Sequence, residues 1–185
     1  MKRFFLHILP LAFLLFSACT SAEKEKGKET SEPTVQPAEA EPQMQPSTTE
    51  GTISLSGKEY TYRIHREPAH DFPTVELEDG TSYYDNRILL SIRTAQGTEV
   101  YRHEFRKTDF TSVVNPRFMA HGILEGLVFD RVEDKRILFA ASISYPQSDL
   151  YVPARVYIRL GSTGGQLSIE REDAMNDAMP LQETE

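Results

Sequence analysis

Cys19 is the single cysteine of this chain, and its setting gives the thiol a definite chemistry. Lys2 and Arg3 form a basic start. Phe4 to Phe16 is almost wholly apolar apart from His7 and Pro10, and the small residues Ser17 and Ala18 precede the cysteine. The apolar run is too short for a spanning helix, which needs roughly 20 residues, and it has the order of a signal peptide. A cysteine in that place is the acceptor of a bacterial lipobox, acylated before the chain is cut on its N-terminal side. The usual box has Leu at the third position before Cys; here that position is Phe16, with Leu15 one further back. Two plainer outcomes compete: cleavage after Ala22, or a Cys19 discarded with the leader. With no second thiol there is no internal disulfide, so an exported domain must be held by its core alone.

The histidines offer less. His65, His70 and Asp71 share one stretch, Ile64-His65-Arg66-Glu67-Pro68-Ala69-His70-Asp71-Phe72. A zinc site needs three or four ligands at compatible positions. These three are the residues a metal would use, but nothing in their spacing demands one, and solvated loop residues are the default. No cofactor is expected. Gly161-Ser162-Thr163-Gly164-Gly165 lacks the Gly-x-Ser-x-Gly order and lies between two strand patterns, so it reads as a hairpin turn and not as a nucleophile elbow. A hydrolase would need His65 or His70 with Asp71, or His103 or His121 with a distant serine. The carboxylates around 76–79 and 130–134 read as solvated turn charge, without the spaced ligand loop of a strong calcium site.

Aromatic and arginine residues are the stronger candidates for binding, since Tyr and Arg are enriched at binding hot spots. Tyr145 opens a partly apolar hairpin loop that ends at Tyr151, and Arg155, Tyr157 and Arg159 alternate along the strand that leaves it. These five residues are the predicted binding set. The plainer alternative is that the tyrosines pack over sheet edges.

The elements that must position them are legible in the periodicity. Ile53 and Leu55; Tyr60, Tyr62 and Ile64; Ile88, Leu90 and Ile92; and Tyr101, His103 and Phe105 each alternate with other residues, with turn signals at Ser56-Gly57, Asp79-Gly80 and Gln96-Gly97. That is the pattern of strands and hairpins. Leu127 and Phe129, then Ile137 to Tyr145, Val152 to Leu160, and Leu167 with Ile169 continue it. The stretch 137–145 is apolar on both faces and is placed centrally in its sheet. The prediction is a mainly β domain over 51–171, an antiparallel meander forming a sandwich or curved sheet. One or two short helices belong near 107–121, with Thr108 or Asp109 as a cap and Asn115-Pro116 as a stop.

Residues 19–50 are predicted as lipidated cysteine plus disordered tether. They are rich in Glu, Lys, Ser, Thr, Gln and Pro, a composition that buries too little apolar surface to order itself. Such a coil separates its ends by roughly 30 Å, or about 90 Å if stiffened. Residues 172–185 read as an acidic flexible tail. The whole chain carries −8, while residues 51–171 hold 15 basic and 16 acidic side chains. A near-neutral domain has no field to recruit nucleic acid, which excludes that class of partner.

The order Gly80-Thr81-Ser82-Tyr83-Tyr84-Asp85-Asn86, then Leu127-Val128-Phe129-Asp130-Arg131, then Ala141-Ser142-Ile143-Ser144-Tyr145-Pro146-Gln147-Ser148-Asp149, resembles a group of small Bacteroidota lipoproteins classed only as a domain of unknown function. The resemblance covers roughly residues 51–170 and the leader type, and relaxed lipoboxes are usual in that group. It implies an envelope location and a single domain, and carries over no catalytic residue. Thr20 after the cysteine argues against inner-membrane retention, which points to the outer membrane. The expected function is a non-catalytic binding module held at a membrane by lipid on Cys19, with a protein or glycan partner. An envelope hydrolase and a purely structural envelope protein are the alternatives.

Overall fold

The computed structural model describes residues 40–42, 45–162 and 164–172. The predicted leader, Cys19, the predicted tether before residue 40 and the predicted tail from residue 173 lie outside the described residues.

A short strand β1 (Glu41–Pro42) precedes β2 (Ser47–Leu55) and β3 (Lys58–Pro68). The turn between β2 and β3 is Ser56-Gly57, at φ 52° and 75°, which are the two positive angles a type I′ hairpin requires. After β3 the chain makes an excursion through β4 (Val75–Glu76) and β5 (Ser82–Tyr84), then returns as β6 (Asn86–Thr94) and β7 (Glu99–Phe105). A 3-10 turn (Lys107–Phe110) and one α-helix, α1 (Pro116–His121), lead to β8 (Ile123–Glu133), β9 (Arg136–Ser144), β10 (Tyr151–Gly161) and β11 (Gly164–Arg171).

Two four-stranded antiparallel sheets result, in the orders β2-β3-β6-β7 and β11-β10-β9-β8, with a small sheet β1-β5-β4 beside them. The second large sheet is a simple meander. Their inner faces meet in one core. Ile53, Leu55, Ile64, Ile88, Leu90, Ile92, Tyr101 and Phe105 come from the first sheet; Leu124, Leu127, Ile137, Phe139, Ala141, Ile143, Ala154, Val156 and Ile158 come from the second. The molecule is therefore a β-sandwich, one of the two forms expected from the period-two pattern. β9 is interior to its sheet, and its consecutive Ile137, Leu138 and Phe139 are all buried, as its two apolar faces required. Tyr62, Phe129 and Phe139 join the sheets through rings 5.4 to 5.9 Å apart.

Two features depart from the sequence reading. β1 lies, and β2 begins at Ser47, within the stretch expected to be tether. Ser47 to Glu50 are all exposed and carry no apolar signal; cross-strand pairing of Ser47 with Arg66 through Glu50 with Arg63 builds them into the sheet. The second departure is Asn115-Pro116, which starts a helix and does not stop one. Asn115 Oδ1 accepts from the Arg117 amide at 2.8 Å, and Pro116 sits at the first helical position, where an N–H would have no partner. Likewise Asp109 lies inside the 3-10 turn, its Oδ2 accepting from the Arg106 amide at 3.0 Å.

Candidate functional site

The register of the second sheet sorts the predicted binding residues. Val156 and Ile158 point into the core, so Arg155, Tyr157 and Arg159 point to the opposite, outer face. Tyr151 pairs with Ser144 and shares that face. Tyr145 does not. It continues the inner side of β9 beyond Ile143, where its ring stacks on Phe118 at 4.2 Å and 18° and meets His121 edge-on at 6.2 Å. The five residues thus divide into an outer row of four and one aromatic packed against α1.

Within the outer row, availability differs. Tyr157 is only 3 % exposed. The Arg136 guanidinium covers its ring at 3.9 Å, and its hydroxyl donates to Glu133 Oε1 at 2.9 Å. Burial, and then Glu133, push its phenol up. Arg155 donates from Nε to Glu172 Oε2 at 2.8 Å, with a second contact from its terminal nitrogen to Oε1; that pairing raises its pKa. Arg159 is exposed and has no hydrogen bond or ion pair among the described residues. It lines a shallow depression of about 500 Å³ with Arg136, Tyr157, Gln166, Leu167 and Ser168.

The same face carries apolar surface that sequence reasoning did not assign to a site. Of the large hydrophobics exposed among the described residues, Val128 (58 %) and Tyr151 (49 %) stand on this face, and Leu150 (47 %) lies in the loop before β10. Val128 lies in a cross-strand row with Ala140, Arg155 and Glu170, and the next row runs through Gly126, Ser142 and Pro153. The small side chains Ala140, Ser142 and Pro153 thus lie together on the two central strands, beside Arg155. Both sheets carry ion pairs: Arg63–Glu50 at 3.2 Å, Arg93–Glu99 at 3.5 Å and Arg106–Glu104 at 2.9 Å on the first, Arg136–Glu170 at 3.5 Å and Arg131–Glu133 at 2.7 Å on the second.

The histidine region forms a groove of about 650 Å³ lined by Gln45, Pro46, Glu67, Pro68, His70, Asp71 and Arg87. It brings His70 and Asp71 together but not with His65 as co-ligands. His65 is engaged through Nδ1 with Thr48 Oγ1 at 2.9 Å, and its Nε2 lies 3.4 Å from Glu67. Asp71 is paired with Arg87, and His70 packs edge-on against Tyr84 at 4.3 Å. Among the described residues no three His, Cys, Asp or Glu side chains are grouped as a metal would need. The other two histidines serve as ties: His103 Nε2 lies 3.2 Å from Asp109 Oδ2, and His121 Nδ1 lies 3.0 Å from the Glu76 carbonyl. Ser142 Oγ donates to Glu125 at 3.2 Å, with no histidine in that contact.

The Tyr84-Asp85-Asn86 stretch proves to be a staple. Asp85, 5 % exposed, accepts on Oδ1 from the amides of Asn86 and Leu124, each at 2.8 Å. Its Oδ2 lies 3.6 Å from Lys107 Nζ, which donates to the Gly122 carbonyl at 2.6 Å. Asn86 Nδ2 donates to the Leu124 carbonyl at 3.0 Å. One Asp-Asn pair so fastens the start of β6 to the start of β8.

A two-sheet antiparallel sandwich with this staple is the class of domain the chain contains. The chain belongs to the DUF4738 family, a domain of unknown function, whose model matches residues 25–169. No curated protein matches the sequence.

Proposed function

We propose that this protein is an outer-membrane lipoprotein whose sandwich is a non-catalytic binding module, presenting the outer face of the β8–β11 sheet to a protein or glycan partner. The observation that carries the binding half is the exposed pair Val128 and Tyr151 on the outer face that also bears Arg159, unpaired among the described residues. Exposed apolar surface bordered by polar residues marks interaction sites. The anchoring half rests on the leader and Cys19. Each buried methylene of an acyl chain contributes about 0.8 kcal/mol, and stable anchoring takes two chains or one chain with a second signal.

Metabolic labelling with palmitate tests the anchor: wild type takes up label and Cys19→Ser does not, and equal labelling of both would end the lipoprotein reading. Protease shaving of intact cells then separates the two faces of the outer membrane. For the binding face, crosslinking pull-down compares wild type with Tyr151→Ala/Arg159→Ala. Loss of the captured partners supports the face, and full retention counts against it.

A further inference from the structure

The chain leaves the sandwich on the outer face of the second sheet. β11 ends at Arg171, and the carboxylate of the next residue, Glu172, is gripped by Arg155 of β10, from Nε at 2.8 Å and again from a terminal nitrogen. Arg155 shares a cross-strand row with Ala140 and Val128. Glu172 is therefore fastened on the side that holds the exposed Val128 and the unpaired Arg159, and residues 173–185 start from that point.

Their sequence complements what the face offers. They include Asp173, Asp177, Glu183 and Glu185 and no basic side chain, while Arg159 is exposed and has no carboxylate partner among the described residues. In an extended segment Asp173, Met175, Asp177 and Met179 fall on one side, acid alternating with thioether, because successive side chains point to opposite sides. A helix would separate them, turning the two methionines away from the two aspartates. The reach suffices as well. Arg155 to Arg159 is about 13 Å along β10, and an extended chain carries Asp177 up to about 17 Å from Glu172. Met175 then falls near the row of Ala140 and Val128. Attachment at Glu172 holds the segment at an effective concentration on the order of millimolar, so contacts that are individually weak are enough to seat it.

We propose that residues 173–179 lie extended across the outer face of the β8–β11 sheet as a built-in cover, with the Asp177 carboxylate paired to the Arg159 guanidinium and Met175 against Ala140 and Val128. The cover occupies the face proposed above for a partner, so access to that face requires release of the segment. It is a contact within one chain, and it stands or falls whether or not the pull-down captures anything.

Spin labelling of the full chain carrying Cys19→Ser and Ala178→Cys tests it. Ala178 adjoins Asp177 and points to the opposite side of an extended segment, so the label stands clear of the sheet. With the cover seated, the label is about 10 Å nearer the second sheet than the first, and paramagnetic broadening falls steeply with distance. The amides of Ala140, Tyr157 and Arg159 should broaden several-fold more than those of Thr52, Thr61 and Arg93, which are exposed on the first sheet. Most of that contrast should be lost in Arg159→Gln and in Asp177→Asn, and regained when Asp177→Arg is combined with Arg159→Asp. Arg159 is exposed, so its substitution leaves the core intact. Equal broadening of both sheets would overturn the cover, as would contrast that survives both neutralising variants. So would contrast in a mixture of spin-labelled chain with isotope-enriched unlabelled chain, because it would place the contact between copies.

Discussion

Tyr101 lies directly on the backbone of Gly165. A Cβ at Gly165 would sit 2.4 Å from Tyr101 Cδ2 and 3.0 Å from Cε2. Tyr101 is on β7 and Gly165 on β11, the edge strands of the two sheets, so this contact closes one side of the sandwich. Gly165→Ala is therefore expected to cost about 1–3 kcal/mol, the range for forcing extra volume into a packed site. Urea unfolding checks it. The cost should shrink when Tyr101→Ala is added, because the two changes share one contact.

The hydroxyl of the same tyrosine gains nothing from its burial. Tyr101 Oη is buried without a hydrogen-bond partner, and its phenol is pushed up to about 12, by burial first and the Asp109 carboxylate second. Tyr101→Phe keeps the ring over Gly165 and removes the unpaired group. At neutral pH the variant should be as stable as wild type or more stable by about 1 kcal/mol. The sign of the alkaline behaviour follows from linkage. A folded pKa above the unfolded 10.0 gives stability that is whole below that unfolded value and is lost as pH rises toward 12. Wild type should therefore weaken relative to Tyr101→Phe over that alkaline window, as read by unfolding at stepped pH.

What the sequence made legible was set by local period and turn chemistry. Ile88, Leu90 and Ile92, or Ile137 through Ile143, announce strands because their partners lie at a fixed two-residue spacing. Ser47 to Glu50 do not, because an edge strand exposed on both sides needs only backbone pairing, which side chains do not advertise. Asn115-Pro116 carries one signal with two uses, since the same dipeptide caps a helix start or bars its continuation; the residues after Pro116 decide between them. The candidate face was half legible. Alternation about Val156 and Ile158 places Arg155, Tyr157 and Arg159 outward, but the cover over Tyr157 comes from Glu133 and Arg136 on neighbouring strands. Strand parity puts Tyr145 on one face with Ile137, Phe139, Ala141 and Ile143, and that face is the inner one. The role of Asp85 leaves no local signal, because its amide partner at Leu124 lies far along the chain.

The turn between β8 and β9 stores strain that can be relieved. Asp134 and Lys135 stand at φ 49° and 59°, a region that costs a non-glycine residue about 1–2 kcal/mol. Type I′ turns favour glycine at the second of these positions. Lys135→Gly should stabilise the domain by about 1 kcal/mol. The mirror experiment is Gly57→Ala in the β2–β3 turn. Gly57 stands at φ 75° with nothing within 4 Å of a built Cβ, so any loss there is backbone strain alone. Thermal unfolding should move in opposite directions for the two variants; a shared direction would refute the assignment of strain to the turns.

Asp85 is the charge whose removal the sandwich should tolerate least. Asp85→Ala leaves the Leu124 and Asn86 amides without their acceptor and Lys107 without its partner, a loss expected to cost about 3 kcal/mol. Asp85→Asn retains an acceptor for the amides and should cost less. The pH dependence separates the two forces acting on the carboxyl. Burial pushes it above the ordinary 3.8, working against the Leu124 amide, Lys107 and the Asn86 amide. An acid raised on folding contributes most when protonated. Its contribution is full below 3.8, declines as pH climbs through the raised value, and is level beyond it. The stability of wild type relative to Asp85→Asn should accordingly fall across that acidic window. If the difference instead grows with pH, the amides and Lys107 outweigh burial, and the carboxylate is held ionised as an electrostatic clasp between β6 and β8.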